Sequence, residues 1–183
     1  MKLHQKQRLF IVGLISLLLA YFGFGQKINK PEELINRVLT IFEPSPTPLP
    51  ADYALITRVI DGDTIELENG QHVRYIGINT PEIDYENGRD DCYAQEARQK
   101  NQALVEGKIV RLEKDVSETD QYGRLLRYAY VGDIFVNAVL VQEGFAQVST
   151  FPPDVKNQEI FVEAQNRARA ASSGFWGKDC LVD

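Results

Sequence analysis

Apolar residues change their spacing along this chain, and each change marks a boundary. From Leu9 to Gly25 they run for 17 residues without a charge, behind Lys2, Lys6 and Arg8. That run is longer than most signal-peptide cores and at the lower limit for a spanning helix. Residues 1–26 therefore read as a signal peptide or an uncleaved signal anchor, with a buried helix of the globular part as the alternative. The basic end favours export of the rest of the chain. From Ile28 to Phe42 the spacing turns helical, with Leu34, Ile35, Val38, Leu39 and Phe42 on one stripe and Glu32, Glu33, Asn36 and Arg37 off it. This segment suits a short packing helix, a juxtamembrane spacer, or a helix for a membrane surface or self-association. Pro44, Pro46, Pro48 and Pro50 come next and favour a stiff, extended linker. Residues 27–50 are thus an amphipathic segment and linker, and residues 51–183 are the globular domain.

Within the domain the pattern alternates. Ala54 to Ile60 and Thr64 to Leu67 are rich in β-branched and apolar residues and flank the turn-forming Asp61-Gly62-Asp63. Asn69-Gly70 is a strong hairpin signal leading into a third strand, His72 to Ile78. Residues 79–91 are polar and read as a loop. Tyr93 to Val105 carries good helix formers, with Gly107 just beyond. Ile109 to Leu112 and Leu125 to Val131 read as strands. Asn137 is expected to cap a short helix ending at Glu143-Gly144. A last helix is expected from Val155 to Ala171, with Ile160, Phe161 and Ala164 inward. Five short strands with a helix inserted after the third suit a Greek-key barrel of the OB type with about three helices, a mainly β, α+β fold.

Charge complicates the functional reading. The chain carries −6 overall, but residues 51–183 hold 14 Lys/Arg against 23 Asp/Glu, a balance of −9. A nucleic-acid binder usually presents a basic face. A polyanionic substrate would have to be held here by a local cationic patch or a metal ion.

Candidate chemistry clusters in Asp61-Gly62-Asp63-Thr64, in Arg74 through Asn79-Thr80-Pro81-Glu82, and in Asp120-Gln121-Tyr122-Gly123-Arg124. These residues offer carboxylates near strand ends and two guanidiniums. Oxygen ligands without His or Cys suit Ca²⁺ or Mg²⁺, not zinc. Two guanidiniums can clamp a phosphate and stabilise charge developing on it. Taken singly each residue has a plainer role: Asp61-Gly62-Asp63 as a turn, Arg74 as a solvated strand residue, Glu82 as the start of a turn, Tyr122 as a packing residue in a hairpin loop.

Together these motifs resemble the staphylococcal nuclease family, over nearly all of residues 54–177. The resemblance extends to Asn137-Ala138-Val139-Leu140-Val141-Gln142-Glu143-Gly144-Phe145-Ala146 and to Gly174-Phe175-Trp176. It implies a calcium-dependent endonuclease that cuts DNA, RNA or both to leave 3′-phosphates, working as a monomeric domain. Asp63 falls on a metal carboxylate, Asn79 on a second metal carboxylate of the family, and Thr80 on a carbonyl ligand. Glu82 falls on the general base, Arg74 and Arg124 on the phosphate clamp, and Tyr122 on a tyrosine that approaches the substrate phosphate. Two departures stand out. Asn79 removes one negative charge from the metal site, which weakens calcium binding or admits other divalent ions unless Asp61 or Asp84 compensates. Ser149-Thr150-Phe151-Pro152-Pro153 lacks the tyrosine that often stacks a base in the family.

In an exported chain, two cysteines predict one disulfide, Cys92–Cys180, with two free thiols in a reducing compartment as the alternative. The bridge would add about 4–5 kcal/mol in the chain-entropy treatment. The domain is accordingly expected outside the cytoplasm, either secreted or periplasmic, or held at the membrane by the N-terminal segment.

Overall fold

The computed structural model describes residues 49–177 and 180, so the readings of the N-terminal apolar run and the amphipathic segment lie outside the described residues. The first three strands are β1 (Tyr53–Val59), β2 (Thr64–Leu67) and β3 (His72–Tyr75). They form the expected meander, with Thr64 opposite Arg74 and Val59 opposite Ile65. Next come β4 (Gly77–Asn79), α1 (Ala94–Val105), β5 (Ile109–Glu113) and β6 (Leu125–Val131). The chain continues through β7 (Ile134–Phe135), α2 (Val136–Gln142), β8 (Gln147–Ser149), α3 (Gln158–Ala170) and a 3₁₀ turn at Gly174–Trp176. The sheet order β3-β2-β1-β5-β6 closes on itself because β3 also pairs in parallel with β6. The result is the five-stranded OB-type barrel with three α-helices that the sequence pattern anticipates.

The core is built from alternate strand positions, Ile56, Val59, Ile65, Val73, Val110 and Tyr128, and from Leu140 and Phe161 of the helices. Helix α1 contributes Ala94, Ala97, Asn101 and Val105, one buried face at helical spacing.

Three local expectations are corrected. The third strand does not run unbroken to Ile78. It breaks after Tyr75, and Gly77, at φ +80°, turns the chain so that β4 pairs with β8 instead. A Cβ at Gly77 would lie 2.5 Å from the Phe161 ring, so glycine is what admits α3 against this bend. Asn137 is not a helix cap. It is fully buried inside α2, accepting from the Ala129 N–H and donating from Nδ2 to the Ile76 carbonyl, both at 3.0 Å. It thereby satisfies a main-chain carbonyl at the strand break. The last helix begins at Gln158, not Val155, because Asp154 and Val155 are still in a turn. Its inward face is Phe161, Ala164 and Ala168, whereas Ile160 is 48% exposed. Phe161 takes the core slot beside Gly77, which rotates Ile160 out.

Candidate active site

Local folding brings Asp63 and Arg74 together. Asp63 closes the Asp61-Gly62-Asp63 turn: its N–H donates to Asp61 Oδ1 at 3.0 Å, and its carbonyl accepts from Tyr75 N–H at 2.9 Å. A side chain at Gly62 would come within 2.6 Å of Thr80, so the turn can close onto Thr80 only with glycine there. Asn101 of α1 braces the turn from behind, donating to the Asp61 carbonyl while accepting from the Tyr75 hydroxyl.

The Asp63 carboxylate is 3% exposed and is held on both oxygens. Oδ1 accepts from Thr64 Oγ1 at 3.2 Å. Oδ2 accepts from the Thr80 N–H at 2.9 Å and lies 3.0 Å from Arg74 Nη2. Arg74 also donates from Nη1 to the carbonyls of Tyr75 and Ile78, each at 2.8 Å, and from Nη2 to Asn79 Oδ1 at 2.7 Å. Asn79 Nδ2 in turn donates to the Thr80 carbonyl at 3.2 Å. One guanidinium therefore gathers Asp63 and Asn79, two of the three residues expected to face a metal, and Thr80 adjoins both.

Burial pushes the Asp63 carboxyl up to about 7; the charges of Asp61 and Glu82 add to the rise, while Arg74 and the Thr80 N–H oppose it. Glu82 is exposed and its pKa is also raised, first by partial desolvation and then by Asp61; Arg74 and Arg124 pull the other way. Glu82 thus lies in the electrostatic field of both arginines.

Arg124 immediately precedes β6, its N–H and Nε donating to Asp120 Oδ1 at 3.0 Å and Oδ2 at 2.7 Å. Its guanidinium carbon lies 5.5 Å from the centre of the Tyr122 ring, and Tyr122 is 75% exposed. Tyr122 is not the packing residue that its hairpin position allowed.

The donor set fits a hard divalent cation in chemical type: a buried carboxylate, an amide oxygen and a main-chain carbonyl, with no nitrogen or sulfur ligand. The fit is lean in charge. Among the described residues no group of three or more His, Cys, Asp or Glu side chains stands together as a metal site. Asp84 Oδ1 is engaged within its own loop, accepting the N–H groups of Glu86 and Asn87.

The raised Asp63 pKa has a stability consequence. A carboxyl that binds its proton more tightly in the folded state than in the unfolded chain destabilises the fold once both are ionised. Stability should therefore fall as pH rises from about 4 to about 7. Carboxylates with lowered values, such as Glu66, Glu118 and Asp154, add stability as pH rises only to about 5, so the fall shows most clearly above that. Thermal midpoints measured with a chelator should be higher at pH 5 than at pH 8, and Asp63→Asn should flatten the slope. An unchanged slope in the variant would assign it to other groups.

The expected disulfide is present between Cys92 and Cys180, with Cα atoms 5.7 Å apart. Sequence reasoning missed Asp91 and Asn101. A polar residue on the otherwise apolar face of α1 was a readable signal for Asn101. Asp91 carried none, because its partner is a main-chain N–H.

Residues 72–178 match the sequence model of a family described as staphylococcal nuclease homologue. That stretch holds Arg74, Asn79, Thr80, Glu82, Tyr122 and Arg124, while Asp63 precedes it. The chain is similar to the thermonuclease of Staphylococcus intermedius, 36% identical over 138 residues, which are 74% of this chain and 82% of that protein. It is also similar to the thermonuclease of Staphylococcus hyicus, 36% identical over 124 residues, 66% and 73% of the two chains. Endonuclease YncB of Bacillus subtilis is 35% identical over 132 residues, 69% of this chain and 63% of its own.

Proposed function

The chain belongs to the staphylococcal nuclease family, and from that premise we propose that it is a divalent-cation-dependent endonuclease hydrolysing phosphodiester bonds of DNA, RNA or both. The observation that carries this reading is the exposed Glu82 carboxylate set in the field of Arg74 and Arg124, beside the Arg74–Asp63–Asn79 network.

Glu82 accepts a proton from a water whose oxygen forms a bond to phosphorus. The P–O5′ bond breaks and the departing oxygen takes a proton from solvent, leaving a 3′-phosphate and a 5′-hydroxyl. Arg74 and Arg124 bind the non-bridging oxygens as negative charge builds on them. Tyr122, exposed beside Arg124, reaches the same phosphate. Asp63, Asn79 and the Thr80 carbonyl would hold the cation, calcium first among the candidates. When bound, the cation polarises the phosphoryl group and lowers the pKa of its water. The Cys92–Cys180 bridge and the N-terminal pattern of basic and apolar residues support a site of action outside the cytoplasm, secreted or membrane-anchored. Calcium at millimolar levels there suits a site of low charge.

A non-catalytic binding module is the second reading, favoured by Asn79 and the acidic domain. The two separate in one assay: purified protein with single-stranded DNA and RNA, titrated with Ca²⁺, Mg²⁺ and Mn²⁺. Metal-dependent cleavage ending in 3′-phosphates is expected, and its absence with all three ions leaves the binding module. Asn79→Asp should tighten Ca²⁺ roughly tenfold or more by restoring a charge at the site. An unchanged affinity by calorimetry would remove residue 79 from the ligand set.

A further inference from the structure

We propose that Asp91, fixed in place by the Cys92–Cys180 disulfide, is the positioning residue that holds Glu82 in its working place. The proposal rests on Glu82 being the general base.

Glu82 stands at the mouth of a polar loop that has little burial of its own to order it. From Tyr85 to Cys92 every residue is exposed. Such a segment is fixed by its hydrogen bonds and its covalent ends. At its base the loop is closed by a reciprocal pair. The Glu82 N–H donates to Asp91 Oδ2 at 3.0 Å, and the Asp91 N–H donates to the Glu82 carbonyl at 2.9 Å. The Glu82 main chain is thus held on both its polar groups by one residue.

Asp91 is held in turn from its C-terminal side. Its carbonyl accepts from the N–H of Ala94, the first residue of α1, at 3.0 Å. Ala94 and Ala97 are buried, so the start of α1 is set into the core. Between Asp91 and α1 stands Cys92, bridged to Cys180 across a sequence separation of 88. On its other side Glu82 comes just after Thr80, whose N–H is bonded to the buried Asp63 carboxylate. Glu82 therefore sits between two anchors. One runs through Thr80 to Asp63, and the other through Asp91 to α1 and the disulfide. Asn101, further along the same helix, holds the Asp61 turn. Helix α1 thereby sets the distance between the carboxylate turn and the base.

A side chain that positions the Glu82 main chain by accepting its N–H can be replaced in that role by an acceptor of the same shape. The full-length protein should show this in cleavage kinetics. Asp91→Ala should lower kcat by roughly tenfold, with KM within about twofold of wild type, because misplacing the base costs the chemical step and not binding. Asp91→Asn keeps the acceptor oxygen and should stay within about threefold of wild type. The exchange rate of the Glu82 amide should rise in Asp91→Ala and not in Asp91→Asn.

The paired Cys92→Ser, Cys180→Ser variant should lose kcat in the same way, and its loss should not add to that of Asp91→Ala. Dithiothreitol, which gives two electrons to the bridge and closes into its own disulfide, should lower wild-type kcat to the level of that paired variant. It should leave the paired variant unchanged. This arm stands even if Asp91→Ala does not fold.

Wild-type kcat in Asp91→Ala, an Asp91→Asn as slow as Asp91→Ala, or a loss confined to KM would each overturn the proposal. So would a reduced wild-type protein of full activity. Glu82→Gln run alongside keeps the two ideas apart. If it is inactive while Asp91→Ala is not, only the positioning role fails. If it is fully active, Glu82 is not the base and the proposal falls with that reading.

Discussion

Glu82→Gln is expected to lower kcat by roughly 10²- to 10⁴-fold, with KM close to wild type and the fold as stable as before. The rate loss comes from removing the proton acceptor while keeping the shape. Stability is spared for a separate reason. The folded state already disfavours the charged form of Glu82, through partial desolvation and the carboxylates of Asp61 and Asp91. A neutral side chain relieves that cost. The Glu82 N–H and carbonyl that meet Asp91 belong to the main chain, so the substitution leaves the loop closed. Single-turnover cleavage and a thermal melt on the same preparation check both halves. A rate within fivefold of wild type would remove Glu82 from proton transfer. A large drop in the melting temperature would mean that the loss of rate had a structural cause.

Much of the fold was legible because its signals are local. Asn69-Gly70 announced a hairpin, and Gly70 is at φ +80° with Asn69 Oδ1 accepting the Gln71 N–H. Stretches rich in β-branched and apolar residues, flanking turn residues, marked out the meander in residues 54–78. Local signals could not give the features decided by distant partners. The break at Gly77 exists because Phe161 needs the space of the missing Cβ. Asn137 has the residue type of a cap, yet it lies within α2 and serves Ala129 and Ile76. Ile160 and Phe161 are equally apolar, and only packing against the bend chose between them. The site divides in the same way. Arg74, Glu82 and Arg124 stand in recognisable runs of residues, and both arginines act electrostatically on Glu82. The part of Asp91 is written in main-chain hydrogen bonds, which no residue pattern displays.

Arg74 and Arg124 have the same proposed duty toward phosphate, and replacing each should separate them sharply. Either one changed to alanine should lower kcat/KM by about 10²- to 10³-fold, the usual cost of losing one donor to a developing oxyanion. Their effects on stability should differ. The Arg124 side chain is 30% exposed and its partner Asp120, 16% exposed, keeps the N–H groups of Tyr122 and Arg124 as donors, so its removal should cost about 1 kcal/mol. The Arg74 side chain is 15% exposed and faces the buried Asp63 carboxylate, the Asn79 amide and two main-chain carbonyls. Arg74→Ala removes the donor to two main-chain carbonyls and the Asn79 amide and drives the buried Asp63 carboxyl to its protonated form, so it should cost about 1–3 kcal/mol. Arg74→Lys should recover only part of this, because one ammonium cannot span the acceptors that a planar fork reaches. Chemical denaturation of the variants in chelator gives the stability order. If Arg74→Ala proves as stable as Arg124→Ala, the Arg74–Asp63 pair contributes nothing to the fold, and the arginine belongs to the reaction alone.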